Sequence, residues 1–269
     1  LASFDFDQAE GLRRMLAGPK PRVFTFLSAA SGEEKGAMLV NLGASLAQAG
    51  RDVLLLDATL ASEGIASRLD ALRGATLTQI ARGERKLDEA IQQMPQGFGV
   101  AALKRGPQNS AVKNAELASK MDEAFDTLST RADIVVVDAE LDKEDSLAIP
   151  ALNETEIVIQ VANTPESIKS AYTLIKRLNN KLGRRPFSIL VTGASDKEAQ
   201  VVYENMAKAA NRYLAVKLNS MGSVPADEHL KRAMHLGRAV VDAFPLAGAS
   251  VAFRRLAGRV VLSDMAAAG

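Results

Sequence analysis

The sequence predicts an α/β fold: a mainly parallel, doubly wound sheet of about seven strands with helices on both faces. Three observations predict it. Short apolar runs recur along the chain, helical patterns separate them, and several runs are almost wholly apolar, as strands buried on both faces must be. With 269 residues, 47% hydrophobic and 24% charged, the chain can bury one large core.

The elements follow in order. Residues 7–16 read as a short helix, with Asp7 as cap, Glu10 three residues later, and Leu12, Met15 and Leu16 as an apolar edge. Gly18-Pro19-Lys20-Pro21 then breaks the chain. The expected organisation is a partner-binding helix over 1–18, a linker over 19–22 and one α/β domain over 23–269. Within that domain the strand candidates are Val23–Leu27, Val53–Leu56, Phe98–Leu103, Ile134–Val137, Ile157–Val161, Phe187–Val191 and Leu218–Val224. Met38, Leu42 and Leu46 mark a helix that Gly50 can end. Ile168, Tyr172, Ile175 and Leu178 to Leu182 mark a second, and Val201, Tyr203, Met206 and Ala210 a third. Gly64 to Gln96 is less regular and suits two short helices. The last helix covers Val251–Leu262, with Phe253, Leu256, Ala257, Val260 and Val261 on one side and Arg254, Arg255 and Arg259 opposite. That stripe suits a core helix better than an amphipathic membrane anchor, and the tail after Leu262 is weakly apolar.

Composition narrows the function classes. A net charge of +1 argues against a general nucleic-acid binder, and the lack of Trp argues against base-stacking platforms. No cysteine means no disulfide and no thiolate chemistry. The two histidines, His229 and His235, are off the i, i+4 ligand spacing and read as surface residues, so no protein-held metal is expected. No apolar run approaches the ~18 residues of a membrane helix, and the charged N-terminal residues do not resemble a secretory signal, so a cytoplasmic protein is expected. Lys176, Arg177, Lys181, Arg184 and Arg185 form a basic cluster, a solvated helix end able to meet an acidic partner.

Three strand ends carry suggestive residues. Leu27 leads into Ser28-Ala29-Ala30-Ser31-Gly32-Glu33-Glu34-Lys35-Gly36 and then a helix; Leu56 leads into Asp57-Ala58-Thr59; Val137 leads into Asp138-Ala139-Glu140. A small-residue loop with a lysine, followed by strand-end aspartates, is the layout of a phosphate-binding loop. Such a loop needs glycines that turn N–H groups toward phosphates, a lysine, and a hydroxyl for magnesium. Here Lys35 and Gly32 are present, Glu34 stands where a glycine is expected, Gly36 where a hydroxyl is, and Ala29 at the earlier glycine. A carboxylate ~5 Å from a phosphate charge costs on the order of 3 kcal/mol at an effective dielectric near 20, so Lys35 cannot offset both Glu33 and Glu34. Lys35 then serves as a solvated helix residue or as the partner of Glu33 or Glu34. Asp57 and Asp138 divide evenly between capping and residual magnesium contact.

The order of motifs resembles the MinD/ParA family of deviant-Walker P-loop ATPases, and within it the FlhG/FleN-type regulators of flagellar number. Three stretches carry the resemblance: Asp7-Gln8-Ala9-Glu10-Gly11-Leu12-Arg13 matches the DQAxxLR motif of that branch; Asn41 to Ala58 matches the first helix and second strand; Thr164 to Glu166, Ala171 to Lys176, and Gly222 to Asp227 match the C-terminal half. Departures concentrate at the nucleotide site. The signature lysine falls on Ala30, the second carboxylate of the DAD segment on Thr59, the glycine of DTPAG on Asp142, and the adenine-reading asparagine on Thr192. Lys35, Asp57 and Asp138 are the nucleotide-contacting positions retained.

The resemblance implies two activities. The N-terminal helix binds an FlhF-type signal-recognition GTPase and stimulates it, with Gln8 acting in trans to order the attacking water, as a neutral amide can. Arg13 anchors it, Leu12, Met15 and Leu16 fill a groove, and Asp7 belongs to the same partner-binding set. The MinD-like domain restrains the σ54-dependent flagellar activator as a pseudo-ATPase. The expectations are a monomer with no cofactor, no direct nucleic-acid contact, no stable membrane anchor, and recruitment to the cell pole by the partner. Alternatives are an ATP-switched ATPase using ATP with magnesium, and a degenerate MinD-like localisation scaffold.

Overall fold

The computed structural model describes residues 20–60, 64–104 and 115–267, with side chains through residue 262. The helix expected over 7–16, and with it Asp7, Gln8, Leu12, Arg13, Met15 and Leu16, lies outside the described residues.

An eight-stranded sheet organises the chain, in the spatial order β3-β4-β2-β5-β1-β6-β7-β8. Seven of its strands match the apolar runs: β1 Arg22–Ser28, β2 Val53–Ala58, β4 Gly99–Ala102, β5 Ile134–Ala139, β6 Glu156–Ala162, β7 Phe187–Thr192 and β8 Leu218–Val224. These seven pair in parallel. The eighth, β3, is the two-residue Gln92–Gln93, antiparallel to β4 at the edge. Two polar residues carry no periodicity, so this strand is set by its neighbour alone. β1 opens at Arg22, one residue before the apolar run, where its N–H donates to the Asp133 carbonyl and it stands in register with Ile134; its side chain donates from Nη1 to the Val260 carbonyl and pairs with Glu156 at the start of β6.

Helices cover both faces. On one face lie α1 Gly32–Gln48, α2 Ile65–Arg68, α7 Glu228–His235, α8 Val240–Ala243 and α9 Gly248–Ala267. On the other lie α3 Leu77–Ala81, α4 Ala115–Ser129, α5 Pro165–Leu182 and α6 Asp196–Leu214. Strand residues alternate between these two cores: Val135 and Val137 face α4 and α5, while Ile134 and Val136 face α1 and α9. Both faces are buried, so the central strands read as continuous apolar runs. The region Gly64 to Gln96 contains the two short helices α2 and α3, with a 3₁₀ turn at Leu87–Glu89. Helix α4 was not legible as a separate element; its moderate amphipathicity buries Met121, Ala124, Phe125 and Leu128 against the sheet.

Helix α9 is a core helix. Phe253, Leu256, Ala257 and Val260 are buried against α1, α8 and β8. Its arginines are tied to the protein surface: Arg255 pairs with Asp196, Arg254 donates to the Pro245 carbonyl and Arg259 to the Met221 carbonyl. Among the described residues, no helix is long and apolar enough to cross a membrane.

Candidate functional site

The carboxyl ends of β1, β2 and β5 bring Lys35, Asp57 and Asp138 together. β2 and β5 run in register with Asp57 beside Asp138, and Asp138 pairs with Phe26 of β1. Each aspartate is the penultimate residue of its strand, at a position that points to the α1 side, where Lys35 enters from the first turn of that helix.

The β1–α1 loop is short. Only Ala29, Ala30 and Ser31 separate the strand from the helix. Ser31 is the N-cap; its side chain accepts from the Glu34 N–H and its carbonyl from the Lys35 N–H. The Ala30 N–H donates to Ser28 Oγ and the Ala29 N–H to the Gln160 carbonyl of β6. On the far side the Ser167 hydroxyl, at the start of α5, donates to the Ala29 carbonyl. Four backbone donors of the loop and first helical turn are thereby engaged inside the protein. Glu33 and Glu34 are exposed at its mouth.

Lys35 is only 4% exposed. Its Nζ lies 2.7 Å from Asp138 Oδ1 and donates to the Ala139 carbonyl at 2.9 Å. The sequence favoured a solvated lysine or one paired with Glu33 or Glu34; the helical geometry instead turns position 35 inward, three to four residues past the cap, onto the end of β5. Burial pushes the Asp138 carboxyl above the usual aspartate range, a shift that the facing Lys35 charge opposes but does not cancel.

The aspartates organise the chain after β2. Asp57 Oδ1 accepts from both the N–H and hydroxyl of Thr59, and its Oδ2 from the Ala66 N–H at 2.9 Å. Asp138 Oδ2 accepts from the Ile65 N–H at 3.3 Å. Both carboxylates therefore accept from N–H groups in the first turn of the short helix α2. Gly64 is required for this approach, since a Cβ there would lie 2.1 Å from Asp57 Oδ2. Arg68, at the end of α2, lays its side chain over Gly36, where a Cβ would sit 2.8 Å from Cδ. Thus the residue at the expected hydroxyl position leaves room for an arginine stem.

A row of polar side chains continues along the same strand ends. Ser28 pairs in register with Gln160, which is 1% exposed and lies 3.5 Å from Thr192 Oγ1. Sequence reasoning missed Gln160; a lone glutamine inside the apolar run Ile157–Val161 was the available signal. His229 sits beside Asp227, and His235 Nδ1 is 2.7 Å from the Lys231 carbonyl; both are exposed. Among the described residues no group of three or more His, Cys, Asp or Glu is placed to hold a metal.

No protein-family model matches the chain. It is 32% identical over 230 residues to the antiactivator FleN of Pseudomonas aeruginosa, covering 85% of this chain and 82% of that protein. It is 25% identical over 240 residues to an uncharacterized ATP-binding protein of Methanocaldococcus jannaschii, covering 87% and 85%. Among solved structures, the cell-division protein MinD of Aquifex aeolicus superposes with a TM-score of 0.65 at 21% identity, covering 89% of this chain and 96% of that one. Strand order, the strand-end lysine and aspartates and this kinship agree: the chain belongs to the FlhG/FleN-type branch of the MinD/ParA family, with its α/β P-loop NTPase fold.

Proposed function

We propose that this protein regulates flagellar number and placement through protein contacts, with a MinD-like domain that has given up nucleotide turnover. Kinship with an antiactivator supports the regulatory class. The observation that carries the second half is the internal engagement of Lys35: it is buried, ion-paired with Asp138 and hydrogen-bonded to the Ala139 carbonyl. A magnesium nucleotide fits these residues poorly. The Ala29, Ala30 and Glu34 N–H groups are taken by Gln160, Ser28 and Ser31, no hydroxyl follows the lysine, and Glu33 and Glu34 stand at the mouth. Releasing Lys35 would leave a buried carboxylate alone, which costs several kcal/mol.

The active part is then the N-terminal motif Asp7 to Arg13. Gln8 orders water on an FlhF-type GTPase, Asp7 and Arg13 anchor the helix, and Leu12, Met15 and Leu16 seat it. The domain restrains the flagellar activator as a monomer, and the GTPase partner brings it from the cytoplasm to the pole.

Calorimetric titration with Mg-ATP and Mg-ADP tests the domain, and GTPase assays of the partner test the helix. The expected result is no nucleotide binding, with stimulation by a residues 1–17 peptide that Gln8→Ala abolishes. Tight ATP binding lost in Lys35→Ala, together with an ATP-dependent dimer, would restore an ATP-switched ATPase as the account. An inert peptide would remove the N-terminal assignment.

A further inference from the structure

Charge is unevenly spread over this nearly neutral chain. Ser167 to Ser195 contains six Lys and Arg and no Asp or Glu; Asn205 to Ala226 contains three and none. The rest of the chain holds 24 basic against 32 acidic residues, a net negative remainder. The fold brings these two stretches side by side. α5 and β7 belong to the first, and the end of α6 with β8 to the second; α5 packs on α6 and β7 pairs with β8. Their turns meet at the amino-terminal rim of the sheet, where the Phe187 N–H donates to the Lys217 carbonyl. This rim is opposite the strand ends that carry Lys35 and Asp138.

Part of the basic cluster has internal partners. Arg177 pairs with Asp145, Lys181 donates to the Glu144 carbonyl, and Arg185 donates to the carbonyls of Asn153 and Thr155. Arg184, Lys208, Arg212 and Lys217 are exposed and have no carboxylate partner among the described residues. Tyr213, in the last turn of α6, is 68% exposed, with the Arg212 guanidinium 5.3 Å from its ring centre. An exposed tyrosine backed by arginine, on a rim that also carries unpaired cations, has the composition of a protein-recognition surface.

We propose that the rim formed by Arg184, Arg212, Tyr213 and Lys217 docks a short acidic segment of a partner protein. A short segment matches the patch in extent: it gains the unpaired cations and stays clear of the net negative remainder. A duplex or a bilayer surface extends past the patch, and the net negative charge of the remainder disfavours it. The site shares no residue with the N-terminal motif or the strand-end cluster, so it stands whether or not those readings hold.

A short Glu- and Asp-rich peptide, labelled for fluorescence anisotropy, is titrated with the full chain, and duplex DNA and vesicles of phosphatidylcholine and phosphatidylglycerol are tested as competitors and by direct binding to the chain. The peptide is expected to bind, with affinity falling as salt rises. The triple variant Arg184→Gln/Arg212→Gln/Lys217→Gln should lose about tenfold in affinity, the scale of three exposed charge contacts. Its thermal midpoint should stay unchanged, because these side chains make no internal ion pair. A control variant, Lys143→Gln/Lys231→Gln, should bind as the parent does. No peptide binding, equal loss in the control, or tighter binding to DNA or vesicles than to the peptide would each overturn the proposal.

Discussion

Lys35 and Asp138 show how one residue's environment redirects a motif. A lysine at the start of a helix after β1 would ordinarily face solvent or an anion. Here it is 4% exposed and Asp138 2%, so neither charge can be left alone. Removing one partner of a buried pair strands the other, at about 3–5 kcal/mol. Lys35→Met should therefore destabilise the protein by roughly that amount in denaturant unfolding. Adding Asp138→Asn, which removes the stranded charge and keeps an acceptor for the Ile65 N–H, should recover most of it. Strict additivity of the two single changes would show that the pair is not coupled.

At the scale of elements, helix α9 and the α1 cap decide the most. α9 carries an apolar stripe with arginines opposite, a pattern shared by core helices and membrane-surface helices. Packing separates them, because Phe253 is fully buried and Leu262 is 67% exposed. Phe253→Ala should cost about 3–5 kcal/mol, while Leu262→Gln should change stability by less than about 0.5 kcal/mol in thermal or denaturant unfolding. Equal, small effects would mean that the stripe is not in the core. The α1 cap works at the same level. Ser31 starts the helix three residues after β1, and this early start both engages the Glu34 and Lys35 amides and turns Lys35 inward.

Across the whole molecule, Asp196 ties three elements that the sequence separates widely. It lies at the start of α6, accepts from Ser223 of β8, and pairs through both oxygens with Arg255 of α9. Those hydrogen bonds hold its pKa at about 2, with the Arg255 bond the largest cause. On acidification the unfolded chain protonates this group first, so its contribution is complete above roughly pH 4 and fades as the pH falls toward the folded value. The stability difference between the parent and Asp196→Asn should be under ~1 kcal/mol, because the pair is exposed, and should shrink toward zero near that low pH. A difference that grew on acidification would contradict the assignment. The same scale separates what sequence and structure each determined. Apolar runs such as Ile134–Val137 announce strands buried on both faces, and the spacing of Met38, Leu42 and Leu46 announces α1, because burial writes its period directly into residue order. The family was legible too, in the lysine loop and strand-end aspartates, and its branch in the Asp7 to Arg13 motif. Tertiary structure alone decided the partner of Lys35, the bonds of Asp57 and Asp138 to the first turn of α2, the two-residue β3, and the meeting of two acid-free stretches at one rim. Each depends on distances between residues far apart in the chain, set by strand register and helix packing, and local sequence carries no record of those.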